Sequence, residues 1–344
     1  MANLLLGFVV AFLLAALPGR WTISQLRRLN ARQNISEDAP TTHAAKQGTP
    51  TMGGLLILFS LTVTTLGWML FKRTSPSVTF SEDSAILPLL LLTLAFGGIG
   101  FADDYLSAKR GKNLGLRARE KFGAQLVVAI GFAFWLAGTA KTGWTTQVEL
   151  APIAITSPFT IDLGWWYYPL AVLFLVGFSN ATNITDGLDG LSSGLGILIC
   201  LAMAGLLYAA FPALGLFTTI LAGALAGFLW WNAHKAQVFM GDTFSLALGA
   251  ALAGVALIGK QEIGLIVASL VCWAELFSVM IQVSVFQWRK RTRGLDYAKA
   301  NRVFKRSPLH HHFEELGWHE MQVVLRFWIA GALCAGLALL WGRG

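Results

Sequence analysis

Long apolar runs are the feature that most constrains what this chain can fold into. A helix needs about 20 apolar residues to cross the hydrocarbon core of a bilayer, and about ten such runs alternate with short polar stretches. Only 13% of the 344 residues are charged, too few to cover a soluble globule. The sequence therefore predicts an all-α polytopic membrane protein, with residues 1–344 forming one integral membrane domain. The predicted spans are 3–19, 53–71, 85–101, 122–139, 164–180, 193–211, 213–231, 243–258, 262–286 and 322–342.

The positions of Lys and Arg predict how these spans are oriented. Cytoplasmic loops accumulate basic residues, and with the N-terminus outside, 20 of the 26 Lys and Arg residues fall in inner loops. Basic residues follow the first run instead of preceding it, which favours a membrane helix over a cleaved signal peptide. We therefore expect both termini outside. Between the fourth and fifth spans, residues 148–150 and 159–162 alternate apolar with polar and predict a small external β-hairpin.

The inner side holds most of the groups capable of chemistry. All six histidines and 12 of the 18 carboxylates lie there under this topology. They concentrate at helix ends, where polar side chains can meet water and converge. The working face is therefore predicted to be cytoplasmic. The net charge of +8 also comes from the inner loops; an anionic lipid surface and an anionic substrate explain it, and we expect no nucleic-acid partner.

Three aspartates at the ends of predicted spans indicate a metal or phosphate site. Asp103 and Asp104 are adjacent, and two such carboxylates beneath a membrane are costly unless cations or a metal neutralise them. A basic stretch follows at 109–121. Asp242 stands at the entrance to another span and offers the oxygen ligand that magnesium prefers. The alternative is that these are ordinary charges marking the inner side of the membrane.

Three further inner segments are candidates for substrate contacts. In 46–54, glycines flank Thr-Pro-Thr and leave backbone N–H groups open to a phosphate, with Lys46 as a mobile cation; a simple helix start is the alternative. In 180–190, two asparagines, two aspartates and two glycines suit a helix that unwinds to present side chains. In 232–242, Phe239 either stacks on a base or packs.

A run of three histidines, 310–312, lies in the last inner loop. Consecutive side chains cannot all point one way. A zinc site is weakly supported, since neither cysteine partners nor a histidine pair four residues apart accompanies the run. Hydrogen bonding to phosphate or sugar is the favoured interpretation. Glu275 is the one carboxylate clearly inside a span; an ion-coupled transporter would place such groups at the midplane, but we interpret Glu275 as packing or kinking its helix.

Taken together and in this order, these segments resemble the polyprenyl-phosphate N-acetylhexosamine-1-phosphate transferases over nearly the whole chain. That family has an inner Asp-Asp pair, a DGxDG-type segment, a Gly-Asp loop and a histidine motif. The runs at 48–54 and 308–314 resemble the branch with an N-acetylmuramoyl-pentapeptide donor. The resemblance implies transfer from UDP-N-acetylmuramoyl-pentapeptide to undecaprenyl phosphate, giving lipid I and UMP, with Mg²⁺ as cofactor. An N-acetylglucosamine-1-phosphate transferase of the same family is the alternative.

The resemblance also implies a setting and residue roles. It implies ten spans, a homodimer in the bacterial plasma (inner) membrane among membrane lipid, and an active site facing the cytoplasm. Asp103, Asp104 and Asp242 match catalytic positions, and Asp242 the magnesium ligand. Nucleotide-binding positions match Lys46, Asp186, Gly187, Leu188, Asp189, Asn232, Phe239 and His311. Phosphate-binding and sugar-binding positions match Thr51, Lys121, Asn183, His310 and His312.

Two mechanisms remain open at this point. In a single step, a carrier phosphate oxygen attacks the β-phosphorus of the UDP-sugar, with Asp103 removing any residual proton. In two steps, an aspartyl-phosphate would form on Asp242 before transfer to the carrier. The sequence does not separate them.

Overall fold

A computed structural model of the protein describes residues 2–29, 48–73, 83–110, 115–139, 145–150 and 159–341. Most of these residues are helical, and one two-stranded antiparallel sheet lies among them. The helices are α1 Ala2–Ala16, α2 Gly19–Arg28, α3 Gly54–Arg73, α4 Ile86–Arg110, α5 Ala118–Thr139, α6 Tyr167–Thr185, α7 Leu191–Leu207, α8 Pro212–Asn232, α9 Asp242–Ile258, α10 Glu262–Ala268, α11 Leu270–Arg293, α12 Leu295–Ala300, α13 Leu309–Glu314 and α14 Glu320–Trp341; the strands are β1 Gln147–Leu150 and β2 Phe159–Asp162.

Every predicted span contains helix, which confirms a polytopic helical membrane protein. Among the described residues, seven helical stretches are long and apolar enough to cross a membrane. The predicted spans at 164–180, 193–211 and 243–258 correspond to α6, α7 and α9, which are not among the seven. Helices α7 and α9 have 17 residues each, about 26 Å at about 1.5 Å per residue. The count of ten spans therefore stays a prediction.

The predicted span 262–286 is divided in the structure. Helix α10 ends at Ala268 and α11 begins at Leu270. Between them, the Ser269 hydroxyl donates to the carbonyl of Leu265 at 2.5 Å. A serine that bonds the preceding turn competes with the helical ladder and commonly bends the helix, so the break lies at this residue.

The predicted hairpin is confirmed as a pair of antiparallel strands. Gln147 pairs with Asp162 and Leu150 with Phe159. The Asp162 carboxylate accepts hydrogen bonds from the Thr146 hydroxyl and the Gly164 N–H, and these bonds hold the pKa of Asp162 below its usual value. The position of the hairpin outside the membrane stays a prediction.

Helix α9 lies at the centre of the bundle. All its residues from Thr243 to Ile258 are buried, as expected for a helix that is apolar on every side. Helices α4 and α6 pack along it. At its start, Gly100 of α4 lies so close that a Cβ there would be 1.8 Å from the Asp242 carbonyl oxygen. This close approach brings the end of α4, with Asp103 and Asp104, beside Asp242.

We predict that Gly100→Ala separates α4 from the start of α9. Overpacking of this kind typically costs about 1–3 kcal/mol, and we expect a matching loss of stability in detergent together with loss of enzymatic activity. Gly98→Ala is the matched control, since Gly98 lies on the same helix with nothing within 4 Å of its Cβ position. Thermal unfolding of both purified variants tests the prediction; equal melting temperatures would contradict it.

Candidate active site

Three carboxylates converge where α4 ends and α9 begins. Asp103 and Asp104 lie in the last two turns of α4, and Asp242 is the first residue of α9. One oxygen atom from each lies within 4.8 Å of the others. The structure therefore brings together the three residues that were predicted to be catalytic, although 138 positions separate Asp104 from Asp242.

Asp104 anchors the start of α9. Its side chain is buried, and Oδ2 accepts hydrogen bonds from the Thr243 N–H at 2.9 Å and the Thr243 hydroxyl at 2.6 Å. Oδ1 accepts from the Asp242 N–H at 3.2 Å. The first N–H groups of a helix have no partner within it and favour a negative charge. Sequence reasoning missed Thr243, because one threonine at a helix start is common and gives no specific signal.

Lys121 and Asn183 surround Asp242. Lys121 Nζ forms an ion pair with Asp242 Oδ2 and lies 4.0 Å from Asp103 Oδ2. The Asn183 side-chain amide donates to Asp242 Oδ1 at 2.7 Å and to the Ser245 hydroxyl at 2.8 Å. Lys121 and Asn183, two of the residues predicted to bind phosphate or sugar, thus lie against the three carboxylates. The Lys121 ammonium is shared between Asp103 and Asp242.

The chemistry of these ligands fits magnesium. Mg²⁺ takes oxygen ligands, commonly one or two carboxylates completed by waters and substrate phosphates. Asp103 and Asp242 are partly exposed and could supply such oxygens. The Asp104 oxygens already accept hydrogen bonds from the start of α9. Of the three carboxylates, Asp104 is therefore the least accessible to a metal ion.

The 48–54 loop is bonded to the segment that precedes α9. The N–H groups of Gly53 and Gly54 donate to the carbonyls of Phe239 and Met240, each at 2.9 Å, and the Phe239 N–H donates to the Pro50 carbonyl. Gly53 and Gly54 are therefore not open to a phosphate, contrary to prediction, because their N–H groups hold two chain segments together. The Thr51 side chain is buried in this junction. Lys46 lies outside the described residues.

The segment after α6 unwinds later than predicted. Asn180 and Asn183 are still helical, and the irregular stretch begins at Asp186. Burial raises the pKa of the Asp186 carboxyl well above its usual value, and the nearby charges of Asp242, Asp104 and Asp189 add to the effect. Of the predicted nucleotide positions here, Leu188 and Asp189 are buried and Gly187 is partly exposed.

Asp189 is held by residues that sequence reasoning did not single out. Its Oδ2 accepts from the Ala236 N–H at 3.1 Å and lies 3.4 Å from His234 Nδ1. Its own N–H donates to the Glu320 carboxylate at 3.0 Å. His234 and Glu320 were counted only as inner polar residues, since nothing in their local sequence connects them with position 189.

Asn232 and Phe239 have different surroundings. The Asn232 amide is buried, donates to the Val238 carbonyl at 3.0 Å, and accepts from the Gly190 N–H and the Ser193 hydroxyl. It therefore joins the 186–190 and 233–241 loops. The Phe239 side chain is partly exposed, so its ring can be reached from solvent.

The three consecutive histidines diverge, as predicted. His310 is buried against Glu275, and its Nδ1 lies 3.2 Å from that carboxylate. His311 Nδ1 contacts the Glu314 carboxylate at 2.7 Å, while His312 Nδ1 accepts from the Lys305 N–H at 3.1 Å. Each ring is oriented by its own partner, and His311 and His312 keep some solvent exposure.

We predict that Asp104→Asn destabilises the protein, because one side-chain oxygen that accepts helix N–H groups is replaced by an amide donor. Hydrogen bonds to charged groups contribute about 1.5–3 kcal/mol each, and we expect a loss of this order with strongly reduced activity. Asp162→Asn is the control, since that exposed carboxylate also accepts from a threonine hydroxyl and a backbone N–H. Chemical denaturation in detergent measures both; equal effects would refute the anchoring role.

Comparison with known proteins identifies the class. A family model described as glycosyl transferase family 4 matches residues 86–260, which include all three aspartates of the carboxylate group. A phospho-N-acetylmuramoyl-pentapeptide-transferase signature matches residues 46–58. The fold and site are therefore those of a membrane-embedded glycosyl transferase of family 4.

Relatives that match nearly the full length of the chain identify one family within this class of glycosyl transferases. Phospho-N-acetylmuramoyl-pentapeptide-transferase from Halalkalibacterium halodurans is 44% identical, over 98% of this chain and 96% of its own. The protein of the same name from Desulforapulum autotrophicum is 42% identical, over 97% of this chain and 90% of its own. The one from Bacillus subtilis is 40% identical, over 98% of this chain and 96% of its own. The chain belongs to the phospho-N-acetylmuramoyl-pentapeptide-transferase family, which confirms the predicted resemblance.

Proposed function

We propose that the chain transfers phospho-N-acetylmuramoyl-pentapeptide from its UDP-linked form to undecaprenyl phosphate, giving lipid I and UMP. This is the first membrane step of peptidoglycan synthesis. The main supporting observation is the group of three aspartates around Lys121, in a chain whose full-length relatives bear that transferase name. Phosphoryl transfer depends on positioned cations more than on covalent chemistry from the protein. This group supplies one cation, Lys121, and carboxylates that can hold a metal ion.

In the reaction, an oxygen of the carrier phosphate forms a bond to the β-phosphorus of the UDP-sugar. The bond from that phosphorus to the bridging oxygen breaks, and UMP leaves with the electron pair. Negative charge grows on the bridging and equatorial oxygens. Lys121, which lies between Asp103 and Asp242, is the described cation best positioned to neutralise it.

Asp103 is the favoured base. The second pKa of a phosphomonoester is about 6, so the carrier is mostly ionised at neutral pH, and only a residual proton needs an acceptor. Both oxygens of Asp242 and both of Asp104 accept close bonds, whereas Asp103 accepts one at Oδ1, from the Leu116 N–H at 2.8 Å, and its Oδ2 lies 4.0 Å from Lys121 Nζ. The bonds that Asn183 and Lys121 make to the two Asp242 oxygens argue against Asp242 as a nucleophile in the two-step mechanism. A trapped aspartyl-phosphate on Asp242 would establish that mechanism instead.

Magnesium would be held by Asp242 with help from Asp103. When bound, it neutralises phosphate charge and aligns the reacting groups. Asn183 and Lys121 orient the Asp242 carboxylate from opposite oxygens. Residues 186–189, Phe239 and His311 would bind the nucleotide and His312 the phosphates or sugar, while the buried His310 and Thr51 would support the neighbouring Gly187 and Gly241.

The proposal extends to topology and setting. Ten spans with both termini outside would place the carboxylate group on the cytoplasmic side of the bacterial inner membrane, where the soluble donor is available. The excess of Lys and Arg in the inner loops supports this orientation, which a reporter fused to the C-terminus would test. A homodimer is part of the same proposal.

A donor-competition assay tests the function. With undecaprenyl phosphate and magnesium, we expect UMP release from UDP-N-acetylmuramoyl-pentapeptide and little from UDP-N-acetylglucosamine, even with the latter in excess. Discrimination of this kind reflects transition-state contacts to the lactyl-peptide portion of the donor. Preferential use of UDP-N-acetylglucosamine would establish the alternative transferase instead, and no UMP from either donor would refute both.

A second prediction concerns the metal. Asp242→Asn should lower kcat by about 100-fold or more, since metal-assisted charge stabilisation is a matter of several kcal/mol, and should raise the magnesium concentration that gives half-maximal rate. Asp296→Asn is the control, an exposed carboxylate in the first turn of α12. Magnesium titrations after chelation measure both. An unchanged magnesium requirement in Asp242→Asn would exclude Asp242 as the ligand.

A further inference from the structure

Glu275 and His310 form a buried pair that the proposed reaction does not use directly. Their side chains are 0% and 1% exposed. Glu275 Oε1 accepts a hydrogen bond from the His310 backbone N–H at 3.1 Å, and Oε2 lies 3.2 Å from His310 Nδ1. Both oxygens of one carboxylate therefore lie against the same residue: one accepts a hydrogen bond from its backbone, and the other contacts its ring at a distance where neither Oε2 nor Nδ1 makes a hydrogen bond among the described residues.

The opposite edge of the His310 ring faces the 186–190 loop. Nε2 lies against Gly187 so closely that a Cβ on that glycine would be 2.2 Å from it. Among the described residues, Nε2 has no hydrogen-bond partner. The imidazole therefore forms the wall behind Gly187, a position where the nucleotide is proposed to bind.

Helix α11 supports this loop at a second point. Helix α11 packs along α6, whose last residue, Thr185, precedes the loop. Helix α11 therefore contacts the helix that leads into the loop and, through His310, Gly187 within the loop.

Stability alone gives no reason for such a pair. Burying polar groups is costly unless they are fully hydrogen-bonded, and replacing buried polar pairs by apolar residues of similar volume is often neutral or stabilising. Imidazole nitrogens buried without a hydrogen-bond partner among the described residues add a further cost. Interactions that break the rules of stable packing are expected where a functional site requires their geometry, and this one adjoins the nucleotide loop.

We propose that Glu275 is a positioning residue for the donor subsite. It holds His310 against Gly187 and so sets the position of the 186–190 loop that receives the uridine nucleotide. Glu275 acts through His310 and touches neither substrate. This inference rests on the proposed function, because it assigns the loop to the nucleotide.

The test combines nucleotide binding with kinetics in Glu275→Ala, Glu275→Gln, His310→Ala and the double variant Glu275→Ala/His310→Ala. Removing a residue that orients a site residue typically costs 10–100-fold, by analogy with metal sites. We expect Glu275→Ala to weaken UMP binding, measured by calorimetry, by about 10–100-fold and to raise KM for the donor but not for the carrier lipid. Glu275→Gln should recover part of this, since its carbonyl oxygen still accepts from the His310 N–H.

The double variant should bind UMP no more weakly than His310→Ala alone, because residues acting through one another are not additive. Glu262→Gln is the matched control, another buried carboxylate, bonded instead to Tyr167 and Lys260; its UMP affinity should match wild type. Additive losses, or equal rises in both KM values, would overturn the proposal. Should Glu275→Ala fail to fold, wild-type UMP affinity in Glu275→Gln overturns it. If the wild-type enzyme neither binds UMP nor releases it, the proposed function itself has failed.

Discussion

The hydrogen bonds from the start of α9 to the Asp104 carboxylate are the interaction on which the site depends. A buried carboxylate is costly unless it is hydrogen-bonded, and the first N–H groups of a buried helix need acceptors from elsewhere. Asp104 and α9 meet both needs at once. The same contact fixes the position of Asp242, so the proposed metal ligand is held in place by the end of α4.

Charge balance sets the second requirement. Asp103, Asp104 and Asp242 converge, and burial together with the charges of Asp242 and Asp104 raises the pKa of the neighbouring Asp186. Against them stands Lys121, the one cation that contacts this group in the described part of the chain. Two anionic substrates would add further negative charge, so a divalent cation is chemically suited to the site. The geometry and the proposed magnesium requirement therefore have one electrostatic origin.

The proposed nucleotide side of the site is assembled from distant segments by polar bonds. Asn232 ties the loop after α6 to the loop before α9, Asp189 is held from α14 by Glu320, and Glu275 holds His310 from α11. Each of these bonds orients a residue that would contact the donor. Because a rigid arrangement reduces the ordering cost of binding, these bonds would lower the cost of binding the proposed nucleotide.

Apolar length and polar clustering were readable from the sequence alone. They predicted helices at every span, the hairpin strands and aspartates at the inner helix ends, and the family resemblance then put Asp103, Asp104 and Asp242 in one catalytic set, which the structure brings together. Motif order was enough to recognise the family. These features are local, or follow from the requirement that charges leave the bilayer.

Only the tertiary structure decided what each polar group contacts. It assigned the N–H groups of Gly53 and Gly54 to Phe239 and Met240 instead of a phosphate, broke the ninth predicted span at Ser269, and gave Glu275 a histidine partner 35 residues away. No periodicity or spacing encodes such pairs. They arise because helices that pack closely must satisfy each buried polar group with whichever neighbour the fold brings near.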